Sequence, residues 1–364
     1  MTLASREKER FFEVDLLRFL AAFVVVLFHY SFNGFHRGSS PLAFPALEPV
    51  TKYGYLGVEF FFMISGFVIS LSAAGRSARQ FLISRIVRLY PAFWLGCTLT
   101  FLVTYFVAST FKQPTLGQFL VNLTMLQDFV GVRSIDGVYW TLTYELKFYF
   151  LIFLLLVINR FQWLEPLCVA WLVYSAMIYF GLKIKYVGVL LFPDYGVYFV
   201  AGVLFFLVRQ RGPSLRHGLL LLLTYALSLA IALQDASLRQ NDLGVTHSPL
   251  VIGLIITAFY GVFLLVALRK FSWFQASWAT ELGAVTYPLY LFHAYIGYVI
   301  FQQAAPYLNK YLLLASLIAL FCAFAYLTSI YVEKPLSKAL NRWLKRLLLR
   351  PPVPQTPAPP TLVS

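Results

Sequence analysis

Residues 17–30 read LRFLAAFVVVLFHY, an almost unbroken hydrocarbon run with Arg18 at one end and His29 near the other. Wound as an α-helix, the eleven steps from Arg18 to His29 return to within about 20° of the starting face and climb about 16 Å. The two ionisable side chains therefore share a face at opposite depths of one apolar segment. A run of this kind is about what a bilayer core of roughly 20 apolar residues demands, and similar runs recur along the chain. Ten spans are expected, at approximately 14–34, 55–73, 89–111, 139–158, 164–182, 195–208, 218–233, 249–268, 284–303 and 311–332.

Composition agrees. Of 364 residues, 60% are hydrophobic, 18% aromatic and 12% charged. A soluble domain carries about 25% charged residues, so a soluble globular fold is excluded. The net charge of +14 sits almost wholly in the connecting segments. That placement points away from nucleic acid and toward anionic headgroups and membrane orientation. Cys97, Cys168 and Cys322 all fall within apolar runs and are odd in number, so neither a disulfide framework nor a metal site is expected. Asp15 and Arg18 in the body of the first run argue against a cleaved signal peptide.

Orientation follows from lysine and arginine. Alternate connections hold 19 of the 29 on one side; the other side holds eight, namely Arg37, Lys52, Lys112, Arg133, Lys183, Lys185, Arg239 and Lys310. Arg18 and Lys147 lie inside spans. The expected fold is thus an all-α integral membrane protein of about ten transmembrane helices in one bundle, with both termini cytoplasmic. Residues 1–334 form the membrane domain. PLSKALNRWLKRLLLR (335–350) is expected as a basic amphipathic helix on the inner leaflet, and 351–364 as a disordered proline-rich tail. No internal repeat of the transporter kind is visible, and no soluble second domain is expected.

Ionisable groups inside spans cost several kcal/mol and mark cavities, partners or pathways. Arg18, a permanent charge with a forked donor set, suits a phosphate near the inner mouth; Asp15, one turn earlier, can orient or neutralise it. His29 suits proton transfer near neutral pH. In VYWTLTYELKFYF (138–150), Glu145 is expected level with His29, orienting the imidazole or supporting its charge. Lys147, two residues on, cannot face it, so an interhelical partner is expected. In FLISRIVRLYPAFWL (81–95), Arg85 and Arg88 lie one turn apart, either as ordinary inner charge or as a phosphate clamp. YGYLGVEFFFMISGFVIS (53–70) holds Gly54, Gly57 and Gly66, which allow close helix approach, and Glu59 toward the outer cavity. His293, with Tyr287 and Tyr290 nearby, suits a structural hydrogen bond or chemistry; His36, His217 and His247 carry no such expectation.

Together these residues resemble the membrane-bound acyltransferase family 3, whose members include bacterial O-acetyltransferases of O-antigen, exopolysaccharide, peptidoglycan and Nod factors. The family's Arg-x10-His matches Arg18 and His29. Its second-span pattern matches Gly57, Val58, Phe61, Phe62, Ile64, Ser65, Gly66 and Phe67. Arg85, Arg88, Leu89, Tyr90 and Pro91 match its basic lead into Leu-Tyr-Pro, and Trp140, Thr141, Leu142, Glu145, Phe148 and Tyr149 its fourth-span motif. Tyr290, Leu291 and His293 look like its Tyr-Leu-x-His, and Glu333 with Pro335 like its closing motif. Many relatives carry an extra C-terminal hydrolase-like domain, which is not expected here.

The resemblance implies an integral enzyme of the bacterial inner membrane that moves acetyl from cytoplasmic acetyl-CoA to a sugar hydroxyl of a polysaccharide or its lipid-linked oligosaccharide precursor. His29 and Glu145 would be catalytic, Arg18, Arg85 and Arg88 would hold the acetyl-CoA phosphates, and Glu59, Trp140, Tyr290 and His293 would meet the acceptor. Direct transfer with His29 as base and an acyl-histidine route both remain open. No metal is implied; membrane lipids and polysaccharide-assembly proteins are the further partners expected. A transporter or flippase for a glycolipid or anion is the rival reading, using the same charges as a path.

Overall fold

The fold is that of a computed structural model describing residues 11–349 apart from 109, 110, 183, 185, 186 and 272. Arg6, Lys8, Arg10, Lys183, Lys185, Arg350 and the tail 351–364 lie outside the described residues. Among the described residues every regular element is helical. The principal helices are α1 (Phe12–Phe28), α2 (Leu56–Ala73), α3 (Ala78–Phe106), α4 (Trp140–Val157), α5 (Leu164–Tyr179), α6 (Pro193–Arg211), α7 (Leu215–Leu243), α8 (Pro249–Ala267), α9 (Ser277–Phe292), α10 (Ala294–Ala304), α11 (Lys310–Thr328) and α12 (Lys334–Leu348).

Among the described residues seven segments are long and apolar enough to cross a membrane, and eight if α9 and α10, bent by 66° at their join, form one span. The first and sixth expected spans fall on α1 and α6. Both are helices of the bundle, yet neither belongs to that set. α1 has 17 residues and carries Glu13, Asp15 and Arg18; α6 begins at Pro193–Asp194 and ends at Arg209 and Arg211.

Three boundaries differ from expectation for identifiable reasons. α3 starts at Ala78 because Ser77 and Gln80 close a reciprocal capping box, and it runs through Pro91, so Arg85 and Arg88 belong to the helix itself rather than to a lead-in. α7 extends ten residues beyond the expected end at 233, to Leu243, where Gly244 takes the left-handed conformation. This carries Arg239 onto a helix instead of a loop. The ninth span breaks at His293, and side chains take up backbone carbonyls there: the Tyr30 hydroxyl donates to the His293 carbonyl (2.7 Å), and His293 Nδ1 lies 2.8 Å from the Tyr290 carbonyl.

The connections gather at two ends, as the alternation of spans requires. At one end Lys52 Nζ donates to the Thr246 carbonyl (2.8 Å), Arg37 pairs with Asp242 (2.5 Å), and Lys310 Nζ donates to the Ala43 carbonyl (2.8 Å). At the other Arg88 meets Glu333 (2.5 Å), Arg211 and Arg216 meet Glu165 (2.7 and 2.8 Å), and the Ser337 hydroxyl donates to the Val87 carbonyl (2.9 Å). Every residue in the second group comes from the connections expected inside, or from the helix ends beside them.

α6 is the axis of the bundle. Residues 196–208 are all buried, as expected of a helix that is apolar on every face. It packs most closely on α2, where Gly66 and Gly202 let the backbones touch: a Cβ on Gly202 would strike the Met63 carbonyl oxygen, and one on Gly66 the Phe199 carbonyl oxygen. Small residues at a crossing of this kind are how membrane helices gain van der Waals contact without a hydrophobic driving force. Gly202→Val is therefore expected to destabilise the fold by about 1–3 kcal/mol, seen as a lower melting temperature in detergent. Gly261→Ala, where a Cβ meets open space, should leave it unchanged or slightly raised.

Candidate active site: two cavities with a shared wall

Arg18, Arg85 and Arg88 converge on one cavity although they come from α1 and α3. Its other polar walls include Ser65 of α2, Glu145 and Tyr149 of α4, and Tyr287 and Tyr290 of α9. Arg85 is held by the hydroxyls of Ser72 (3.0 Å) and Ser84 (3.2 Å) and lies over the rings of Phe81 and Tyr149. Arg88 pairs with Glu333 and lies over Tyr287. Arg18 makes no hydrogen bond or ion pair among the described residues. Three guanidinium groups facing one space repel one another, and an anion there would offset that cost.

Glu333 closes a π-helical turn, Ser329–Glu333, between α11 and α12. A second such turn, His29–Asn33, follows α1 directly. Wide turns of this kind often occur at functional positions because the extra residue re-aims a side chain. Here they present His29 and Glu333.

His29 opens into a second cavity, lined also by Asn33, Glu59, Trp140, Tyr195, Arg239, Tyr295 and Tyr298. Its Nδ1 lies 2.8 Å from the Tyr298 hydroxyl, and Asn33 Nδ2 reaches both His29 Nδ1 (3.4 Å) and the Tyr298 oxygen (3.3 Å). Nε2 of His29 has no hydrogen-bond partner among the described residues. His293, fully buried, sets its ring 5.0 Å from that of His29, and its own Nε2 is unpartnered among the described residues. Val58 and Tyr290 line both cavities. They form the wall between them, and the Tyr290 hydroxyl is tied there to the Thr141 hydroxyl (2.9 Å).

The expected common face of Arg18 and His29 is realised as one residue in each adjoining cavity. The expected pairing of Glu145 with His29 is not formed. Glu145 does find a partner on another helix, but it is Ser65, whose hydroxyl donates at 3.1 Å, and Glu145 lines the arginine cavity. The partners of His29 are Tyr298 and Asn33 instead. Asn33 was visible in principle, one turn beyond His29. Tyr298, 269 residues away, has no local signal. Glu59 and Trp140 stand with His29 as expected, Tyr290 stands on the dividing wall, and His293 lies behind the His29 ring rather than on the cavity surface.

Residues 11–333 match the family described as "Acyltransferase domain". The chain is also similar to "Nodulation protein 10" of Rhizobium leguminosarum bv. viciae, 31% identical over 165 residues, which cover 40% of this chain and 44% of that protein. The aligned part thus spans less than half of that relative. No solved structure matches. With nearly its whole length matched, and with the arginine, histidine and glutamate motifs gathered around two adjoining cavities, the chain belongs to acyltransferase family 3.

Proposed function

We propose that this protein is an integral membrane O-acyltransferase that takes acetyl from cytoplasmic acetyl-CoA and places it on a sugar hydroxyl of an envelope or secreted polysaccharide, or of its lipid-linked precursor, in the inner membrane of a bacterium. The observation that carries the reading is the adjacency of the two cavities: three arginines in one and a histidine with a free ring nitrogen in the other, separated by Val58 and Tyr290. Family membership favours it over the transporter reading.

The chemistry follows from those positions. Arg18, Arg85 and Arg88 hold the donor's phosphates through charge-assisted hydrogen bonds, and the pantetheine arm runs toward the wall at Tyr290. His29 donates its Nδ1 proton to the Tyr298 oxygen, which fixes the tautomer and leaves Nε2 as the base. Asn33 donates to the same oxygen and holds it in place. Nε2 takes the proton from the acceptor hydroxyl as that oxygen attacks the thioester carbonyl. The new C–O bond forms, the C–S bond breaks, and the imidazolium returns its proton to the departing sulfur. Glu145, bonded to Ser65, orders the arginine cavity and does not act on His29.

Measurements in cells and on the purified protein test this. In cells, NMR of the polysaccharide should show O-acetyl groups with the wild-type gene and none in the null. His29→Ala, present at normal protein level, should lose them to within the 10²–10⁴-fold that a general base contributes. Normal acetylation by His29→Ala would remove the histidine from the mechanism, and full acetylation in the null would remove the reaction. With purified protein, Arg88→Gln should raise the KM for acetyl-CoA about tenfold, the loss of roughly one charge-assisted hydrogen bond, with little change in kcat. Tyr298→Phe should show the opposite split, lowering kcat about tenfold at unchanged KM.

A further inference from the structure

Arg239 was expected in a connecting loop and instead stands on the extended α7, where it lines the histidine cavity. Its head is fixed by two contacts. Nε donates to Asp235 Oδ2 one turn back on the same helix (2.6 Å), and the guanidinium lies over the Tyr55 ring, 4.1 Å from its centre. With Nε and one face engaged, the two terminal nitrogens make no hydrogen bond among the described residues. Arg37, exposed and paired with Asp242, three residues after Arg239 on α7, lines the same cavity. Two of the eight cations expected on this side of the membrane thus meet at one opening.

Among the described residues Glu59 is the one carboxylate on the cavity wall; it is 3% exposed, and its Oε2 is buried without a hydrogen-bond partner among them. A buried polar atom without a partner is uncommon enough to demand one, and a hydroxyl arriving with a ligand would supply it. Trp140 and Tyr195, ring centres 5.1 Å apart, supply apolar faces beside it. Aromatic walls with a few convergent polar groups are the usual makeup of a small-molecule site.

We infer that the histidine cavity binds an acidic saccharide, gripped at its carboxylate or phosphate by Arg239 and Arg37, with its ring against Trp140 and Tyr195 and a hydroxyl on Glu59. The inference rests on the reading of this cavity as the acceptor site, and it narrows that acceptor to an anionic glycan. A planar guanidinium with both terminal nitrogens free matches a carboxylate or phosphate through two parallel hydrogen bonds, which a neutral sugar cannot exploit as fully.

The test uses the full-length protein in phosphatidylcholine nanodiscs and calorimetric titration with three probes: tetragalacturonate, glucose 1-phosphate and the neutral maltotetraose. One of the acids should bind about tenfold or more tighter than maltotetraose, with the preference shrinking as salt rises. The carboxylate and phosphate arms identify which anion the arginines take. Arg239→Gln should abolish the preference and Arg239→Lys should keep part of it. If Arg239→Gln fails to fold, Arg37→Gln reports on the same preference. Equal binding of maltotetraose, binding of none of the probes, or a preference that survives Arg239→Gln would overturn the proposal. Acetyl-CoA turnover measured on the same wild-type sample keeps the two readings apart. Acid binding without turnover would sink the acyl-transfer reading alone, and turnover without acid preference would sink this one alone.

Discussion

An ionised side chain in hydrocarbon costs several kcal/mol unless it meets water, a partner or an opposite charge, and this chain puts arginines, carboxylates and histidines among helices whose remaining surface is apolar. That cost organises the interior. Arg18 and Arg88 sit at the arginine cavity with Glu145 and Glu333 within the same neighbourhood, and Arg239 is clamped by Asp235. The two cavities are where several of these ionisable side chains gather. The two cavities touch at Val58 and Tyr290, and the α1 motif places one ionisable side chain in each, at two depths on one helical face.

Holding those charges in register requires a stiff frame. α6 supplies it, being buried along residues 196–208 and pressed against α2 at Gly66 and Gly202. α2 in turn contributes Val58 to the shared wall, Glu59 to one cavity and Ser65 to the other. A side chain that forced α2 and α6 apart would move both cavities at once, so the glycine crossing and the site are one mechanical unit although neither glycine lines a cavity.

Departures from regular helix occur where ionisable groups of the site are presented. The π-helical turns carry His29 and Glu333, and the 66° bend separates α9 from α10 at His293. Regular α-helix would keep these residues on a fixed 100° spiral; an added residue or a bend re-aims them, and at the bend the Tyr30 hydroxyl and the His293 ring add side-chain bonds to the carbonyls of His293 and Tyr290.

The sequence by itself determined the all-helical membrane class, the alternation of connections between two ends, and most of the residues around the cavities. These rest on local properties: run length against bilayer thickness, the charge of short connections, and a helical repeat that puts Arg18 and His29 on one face. Partnership was decided only by the tertiary structure. Glu145 was expected beside His29 because both lay near one depth, but depth along a helix says nothing about which way two separate helices turn toward each other, and packing turned Glu145 to Ser65 instead. Tyr298 reaches His29 from 269 residues away, on the helix that follows the 66° bend at His293. Arg239 joined the site because α7 continued past its apolar stretch, where tertiary contacts rather than hydropathy held the last turns. Periodicity and composition are properties of a segment, whereas crossing, rotation and bending are set by the sum of contacts between segments.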